Sequence, residues 1–248
     1  MITKLEELSI QAWPALETLV EDGWILRYAE GYTKRANSVY PLYPSRWEIE
    51  EKIAACETFY TGKKLPTIFK LTPAAHPADL DQVLEEKGYK ASGHTSVQTV
   101  SLEAIEAPSV QTVRVYRECT HEWLEDFCRL SAKREDEKQT MSQTLRKIVP
   151  TACYVTLFHE EVAVACGLGV LDRGYIGLYD IVTDQRYRGQ GFGKQLVLHL
   201  LQWGFQNGAK VSYLQVLAEN LPARRLYEKL GYQEVYVYWY RIKEDIER

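Results

Sequence analysis

The sequence predicts a mixed α/β fold in which two similar halves contribute to one kind of sheet. Three observations carry this. In the later half, apolar strand-like runs joined by short turns give way to alternating strands and helices, and hairpins followed by β–α–β units make a mixed sheet. An early stretch, LPTIFKLTPAAHPADLDQVLEEKGYKA, repeats the order of a late one, VSYLQVLAENLPARRLYEKLGYQEV: strand, connector, helix, Gly-Tyr, strand. Finally, DIVTDQRYRGQGFGKQL (Asp180 to Leu196) runs from an apolar strand through a glycine-rich turn into helix-spaced Phe192, Leu196, Val197, Leu200 and Leu201.

Taken in order, Leu5 to Val20 is amphipathic with a break at Pro14, and reads as one or two short helices. Trp24 to Tyr28 reads as a strand and Gly31-Tyr32 as a turn. Tyr32 to Leu42 has no clear period; its Lys34, Arg35, Asn37 and Ser38 suit a solvated strand end or the wall of a pocket. Trp47 to Tyr60 has helical spacing, Leu65 to Leu71 is a buried strand, and Pro77 to Lys87 is a helix closed by Gly88. Ser96 to Leu102 alternates as a strand does. The small, polar, proline-containing stretch Ala104 to Thr112 reads as a linker between a first domain, 1–103, and a second, 113–248.

The second domain reads as a strand at Val113 to Tyr116, a helix at His121 to Lys133, the solvated charge run KREDEK, and a helix at Ser142 to Val149. Strands follow at Ala152 to Phe158, Val162 to Leu171 and Tyr175 to Val182. After the glycine turn come a helix to about Asn207, a strand at Lys210 to Leu217, a helix at Pro222 to Leu230 and a last strand at Tyr232 to Ile242.

Composition bounds the partners. The 248 residues are 46% hydrophobic and 26% charged, as in a soluble globular protein with a sizeable core. A net charge of −4 and the lack of a basic stripe argue against nucleic acid. No run of apolar residues is long enough to span a membrane, and the N-terminus lacks a signal-peptide core, so the expected location is the cytoplasm. The five cysteines form no C-x-x-C pair and read as reduced thiols, and the five histidines have no metal-ligand spacing. No metal is expected.

The glycine turn is suited to an anion. The first amides of a helix lack internal partners, the helix dipole adds positive charge, and glycines admit a phosphate close to the backbone. Arg188 and Lys194 flank the turn as donors. A P-loop is excluded because Gly193-Lys194 is followed by Gln195 rather than Ser or Thr. The dinucleotide fingerprint is excluded because its third glycine would fall at Lys194.

The motif that remains, R-x-x-G-x-G at Arg188, Gly191 and Gly193, resembles the acyl-CoA pyrophosphate loop of the GCN5-related N-acetyltransferase (GNAT) superfamily. ENLPARRLYEKLGY is similar to that family's second cofactor segment, with Asn220, Ala223, Leu226, Tyr227, Gly231 and Tyr232 in its pattern. The resemblance covers about Thr112 to Ile242. It implies a GNAT-like acyl-CoA N-acyltransferase fold in two tandem copies, the first degenerate: where the second has RGQGFGKQ the first has acidic SRWEIEEK, which would repel a pyrophosphate.

The resemblance also implies roles. The backbone of Ile181, Val182 and Thr183 would pair with the pantetheine arm of acetyl-CoA, and Arg188, Gly189, Gln190, Gly191, Phe192, Gly193 and Lys194 would hold its pyrophosphate. Asn220 would bond the pantetheine amide, and Tyr227 would protonate the leaving thiolate. A primary amine of pKa near 10.4 is neutral in only about one molecule in a few thousand at pH 7, a cost of about 4–5 kcal/mol, so a base is needed. Gln215 stands where ribosomal-protein N-terminal acetyltransferases carry a Glu, and an amide cannot be a base. Asp180 is the expected base; Glu219, beside Asn220, is the other carboxylate at hand.

The expected activity is acetyl transfer to a primary amine of a small molecule, an amino acid or polyamine-like acceptor. An acyl-CoA sensor, or an acetyltransferase of protein N-termini or lysines, are the alternatives. A homodimer stays open. Lys34 and Arg35 would suit an acceptor bearing a carboxylate.

Overall fold

The computed structural model describes residues 1–243. The chain runs α1 (Ile2–Ala12), β1 (Glu17–Glu21), β2 (Trp24–Tyr28), β3 (Val39–Tyr40), α2 (Ile49–Gly62), β4 (Thr67–Leu71), α3 (Leu80–Glu86) and β5 (Lys90–Ser101). It continues β6 (Val113–Tyr116), α4 (His121–Ser131), α5 (Glu135–Leu145), β7 (Thr151–His159), β8 (Val162–Asp172), β9 (Tyr175–Thr183), α6 (Phe192–Gln206), β10 (Val211–Leu217), α7 (Leu221–Lys229) and β11 (Gln233–Lys243).

All the described strands join one sheet in the order β1-β2-β3-β4-β11-β5-β10-β9-β8-β7-β6. The repeat seen in the sequence is a repeat in topology. β4–α3–β5 matches β10–α7–β11, and the parallel pairs β3–β4 and β9–β10 occupy matching places. The last strand of each half is inserted in the other. β11 lies between β4 and β5, antiparallel to both, while β5 lies between β11 and β10. Further contacts fasten the exchange. Arg241 of β11 makes a bidentate pair with Asp81 of α3, Nε to Oδ1 at 2.8 Å and Nη2 to Oδ2 at 3.1 Å.

One face of the sheet carries a single core under α1, α4 and α5, with Leu5, Leu8, Trp13, Trp123, Met141, Tyr179 and Tyr236 among its residues. The opposite face carries two cores. One lies under α6 and α7 around Leu196, Leu200 and Leu214; the other lies under α2 and α3 around Trp24, Tyr60 and Phe69. β8 is buried on both faces over most of its length, which explains its continuous apolar sequence.

Two expectations are corrected. The helix expected over Leu5 to Val20 ends at Ala12, and Glu17–Glu21 is an edge strand paired with β2. Pro14 stops the helix, and Asp22-Gly23, with φ of 41° and 85°, makes the tight turn that folds ETLVE back on WILRY. A Cβ on Gly23 would lie 2.5 Å from the Pro44 carbonyl oxygen, so only glycine fits there. The helix expected at Ser142 to Val149 starts earlier, at Glu135, and ends at Leu145. The charge run supplies its start: Glu137 accepts from the Arg134 amide at 3.1 Å, and Glu135, Asp136 and Glu137 complement the dipole.

Under α1, Glu6 and Lys70 are fully buried, with Nζ to Oε2 at 2.5 Å, and the Tyr236 hydroxyl donates to the other Glu6 oxygen at 2.6 Å. Burial alone would lower Lys70, but the Glu6 carboxylate together with the Tyr40 and Tyr238 hydroxyls outweighs it and keeps the ammonium charged. Removing one partner strands the other charge. Lys70→Met is therefore expected to cost about 3–5 kcal/mol in urea unfolding, and Glu6→Leu with Lys70→Met together much less than the sum of the two single variants.

Candidate active site

The site is made where two neighbouring strands part. β9 and β10 pair in parallel only as far as Leu178↔Leu214. Beyond that, β9 keeps its partner β8 and β10 keeps its partner β5, but nothing in the sheet joins their facing edges. The parting begins at a bulge: Cys166 faces Val182 and Leu168 faces Tyr179, so Gly167 stands opposite both Asp180 and Ile181. Asp180 takes φ of 51°, a left-handed conformation that Asp tolerates better than most residues. Gly167 makes room, since a Cβ there would lie 2.8 Å from Ile181 Cδ1. Ile181, Val182 and Thr183 thus offer backbone groups along an edge that lacks a strand, and such groups call for a partner.

The glycine turn follows. Asp184 caps a single 3-10 turn, accepting from the Arg186 amide at 2.9 Å, and its carboxylate binds the Arg186 guanidinium; these bonds hold its pKa down at about 2. Gly189 and Gly191 have φ of 78° and 89° and open space where a Cβ would stand, and Gly191 caps α6. Gln195, bonded to the Gly191 carbonyl, opens the intrahelical ladder, so the amides just before it are available to an anion. Gly193 sits close under Thr183, its Cβ position 3.3 Å from Thr183 Oγ1. Arg188 is exposed, with Nε 3.4 Å from the Thr183 carbonyl, and the exposed Gln190 bonds back to the Arg186 carbonyl. Phe192 is half-buried against His159 and Tyr187. Lys194 has a partner that its position in the motif did not reveal: Glu106 of the 104–112 stretch, at 2.6 Å.

Asn220 caps α7, its Oδ1 accepting from the Ala223 amide at 3.3 Å, which leaves its amide NH2 group free to donate. Tyr227 is buried against Tyr232, with ring centroids 5.7 Å apart, and burial pushes its hydroxyl up to about 12. Gln215 lies just past the parting point. Its Nε2 donates to Ser9 Oγ at 2.8 Å and its Oε1 accepts from the Tyr238 hydroxyl at 3.1 Å.

On the first-half side of β10 is a cavity of about 230 Å³. Lys34 and Arg35 from a 3-10 turn, Gln215 and Leu217 from β10, and Tyr238 and Tyr240 from β11 line it. The Arg35 guanidinium lies 5.4 Å from the Trp13 ring and 5.6 Å from the Tyr179 ring. Tyr179 is the neighbour of Asp180 on β9, so Arg35 links the cavity to the bulge. One oxygen of Asp180, Oδ2, is buried without a hydrogen-bond partner. Burial raises the Asp180 carboxyl to about 6, against the opposing pull of Arg35 and Lys133. Tyr32, Tyr154 and Cys119 also face it electrostatically. A half-buried carboxyl titrating near neutrality is suited to taking a proton.

The chain has relatives among known proteins. The profile of a family described as "Probable histone acetyltransferase Rv0428c C-terminal" matches residues 1–241. The chain belongs to this family. It is an N-acetyltransferase of the GNAT superfamily, as the resemblance of RGQGFG and ENLPARRLYEKLGY implied. It is similar over its whole length to the uncharacterized N-acetyltransferase YobR of Bacillus subtilis (strain 168), at 29% identity over 98% of each chain. Among solved structures it resembles a GCN5-related N-acetyltransferase from Kribbella flavida, with a TM-score of 0.74, 16% identity, and 97% and 95% of the two chains covered. It also resembles a tandem GNAT protein from the clavulanic acid biosynthesis pathway, with a TM-score of 0.67, 12% identity, and 98% and 89% covered. At those identities the two structures speak for the shared fold alone.

Residues on the GNAT pattern thus stand around the parting of β9 and β10, and Asp180 stands at the bulge itself. The sequence reading left Arg35 undecided between a strand end and a pocket wall, and the cavity decides it. Asp184, Tyr238 and Lys133 carry no sequence signal of their own, except that Asp184 closes the strand DIVTD.

The Asp180 pKa has a consequence for stability. A carboxyl that titrates higher in the folded than in the unfolded chain stabilises the fold most below about pH 4, and that contribution is lost as pH rises through about 6. Asp180→Asn lacks this slope. Chemical unfolding across pH 4 to 7 is expected to show the variant gaining on the wild type up to about pH 6, with a constant difference above it.

Proposed function

We propose that the chain moves the acetyl group of acetyl-CoA directly to the primary amine of a small molecule. The observation that carries the reading is the joint presence of the parted β9–β10 edges and the open glycine turn beside them. The residues fit the co-substrate: free edges of the sheet for an amide-bearing arm, and helix-end amides with unobstructed glycines for a pyrophosphate. Ile181 to Thr183 would hold the arm, Arg188 to Lys194 the pyrophosphate, and the Asn220 NH2 group an arm carbonyl. When bound, acetyl-CoA supplies an activated thioester.

The chain's own groups do the rest. Asp180, largely ionised at neutral pH, accepts the proton of the incoming ammonium or of the attacking nitrogen. Tyr227, raised to about 12, stays neutral and presents an O–H to the departing sulfur. Giving that proton up fully to a thiolate of ordinary pKa near 8.5 is uphill by about 5 kcal/mol, so its main work is to donate a hydrogen bond to the charge as it develops. No described residue hydrogen-bonds the Tyr227 hydroxyl, so the donor is not already engaged. The small volume of the cavity at Arg35, about 230 Å³, supports a small acceptor over a protein chain.

Calorimetry with acetyl-CoA is expected to show binding to the wild type and none to Gly191→Glu, which fills the cradle with a carboxylate. Thiol release against a panel of amines should then reveal turnover. Absence of acetyl-CoA binding by the wild type would sink the reading. For an acceptor so found, Asp180→Asn is expected to lower kcat/KM about 10²–10⁴-fold and to remove a rise in rate near pH 6. Tyr227→Phe should lower kcat with little change in acetyl-CoA affinity.

A further inference from the structure

Resting on that reading, we infer that the acceptor is an amine that also carries a carboxylate, and that Arg35 binds the carboxylate in the cavity beside β10. Arg35 sits where a cation has few reasons to be unless an anion visits. Its guanidinium lies near the Trp13 and Tyr179 rings, yet no described carboxylate forms an ion pair with it and no described group accepts a hydrogen bond from it. Asp180 acts on it only electrostatically. A contact with a ring's π-face engages the charge and not a hydrogen bond, so the guanidinium N–H groups are left to meet a ligand. A carboxylate fits that fork with two parallel hydrogen bonds.

The rest of the cavity agrees. Lys34, at the same wall, is exposed and without an ion pair; its ammonium lies 3.5 Å from Ser92 Oγ and 5.7 Å from the centre of the Tyr240 ring. Thr33, Thr95, Gln215 and the hydroxyls of Tyr238 and Tyr240 add neutral polar groups. Among the described residues, no Asp or Glu lines the cavity. A polyamine would therefore set its further ammonium groups against Lys34 and Arg35, with Asp180 able to receive only one of them, so the cavity favours an acceptor that carries an anion. At about 230 Å³ the space is smaller than the roughly 300–1,000 Å³ of drug-sized pockets, so it suits an amino-acid-sized molecule.

Two opposite charges stand close to Tyr179. Asp180 follows Tyr179 on β9, and its buried unpartnered Oδ2 is an acceptor for the ammonium end. Arg35, against the Tyr179 ring, receives the other end. A molecule with opposite charges at its two ends is oriented by this pair so that the amine, not the acid, faces the base. In the empty site Arg35 and Asp180 compensate each other at a distance; a bound zwitterion would satisfy both at contact.

The test compares acids with their amides. The twenty common amino acids, their carboxamides and spermidine would be titrated by calorimetry into wild type, Arg35→Ala and Arg35→Lys, each with CoA present. At least one amino acid is expected to bind the wild type at least 10-fold more tightly than its own carboxamide and than spermidine. Arg35→Ala should bring the acid and amide within about threefold of each other. Arg35→Lys, which keeps a cation over the rings, should restore part of the difference. Equal binding of acids and amides, preference for spermidine, or no binding by any free acid would overturn the inference. A preference unchanged in Arg35→Ala would do the same. Failure of the acetyltransferase reading would show elsewhere, in loss of acetyl-CoA binding or thiol release, while the acid-to-amide ratio is read from binding alone.

Discussion

The antiparallel pairing of β5 with β11 is the constraint on which the rest of the molecule depends. Each of these long strands comes from one half of the chain and completes the sheet of the other, so neither half has a closed sheet of its own. Without β11, the edge of β4 would be open; without β5, the edge of β10. Unpaired buried backbone on that scale costs more than a marginally stable domain can bear. The exchange accounts for the survival of a first half that carries no glycine turn: its strand, and the Asp81 that grips Arg241, hold the C-terminal strand in place. It also accounts for the composition of the cavity, whose walls come from both halves because the strands that carry them interleave.

The charges buried on the common face divide into two kinds. Glu6 and Lys70 meet at 2.5 Å and Tyr236 satisfies the remaining Glu6 oxygen, so this pair is complete within the protein. Asp180 and Arg35 do not meet. Their separation leaves one carboxylate oxygen without a partner and one guanidinium without an acceptor, a costly arrangement in a closed core. Stability by itself would favour closing the gap or replacing both groups. Under the proposed function the two are kept apart, at the place where β9 bulges and leaves β10, to receive a ligand.

Much of this was legible in the residues. The repeat around Gly88-Tyr89 and Gly231-Tyr232 foretold the topological repeat, and the order of strands and helices after residue 150 gave the mixed sheet. RGQGFG and ENLPARRLYEKLGY gave the family. What escaped was decided by contacts distant in sequence. Glu17–Glu21 became a strand because Pro14 ends the helix and Asp22-Gly23 turns the chain back, a local signal passed over in favour of amphipathic spacing. The exchange of β5 and β11 leaves no local mark, because a strand lent to a neighbour has the same apolar alternation as one kept at home. Arg35 looked like a residue at a solvated strand end; only the fold sets it between Trp13, Tyr179 and an acid-free cavity. Lys194 looked like a free phosphate donor, and the 104–112 stretch supplies Glu106 to it.

Gln215 joins the chemistry to the architecture. Its side chain bridges Ser9 of α1 and Tyr238 of β11, and so fixes a wall of the cavity with one donated and one accepted hydrogen bond. A glutamate could accept from the same two hydroxyls, but it would bring a carboxylate into a wall that has none among the described residues. That charge would compete with a ligand's carboxylate for Arg35 and repel it, while adding a base on the far side of the parting from Asp180. With the neutral amide, the negative charge stays at the bulge and the positive charge at the cavity. The proposed division of labour between Asp180 and Arg35 therefore depends on position 215 being uncharged.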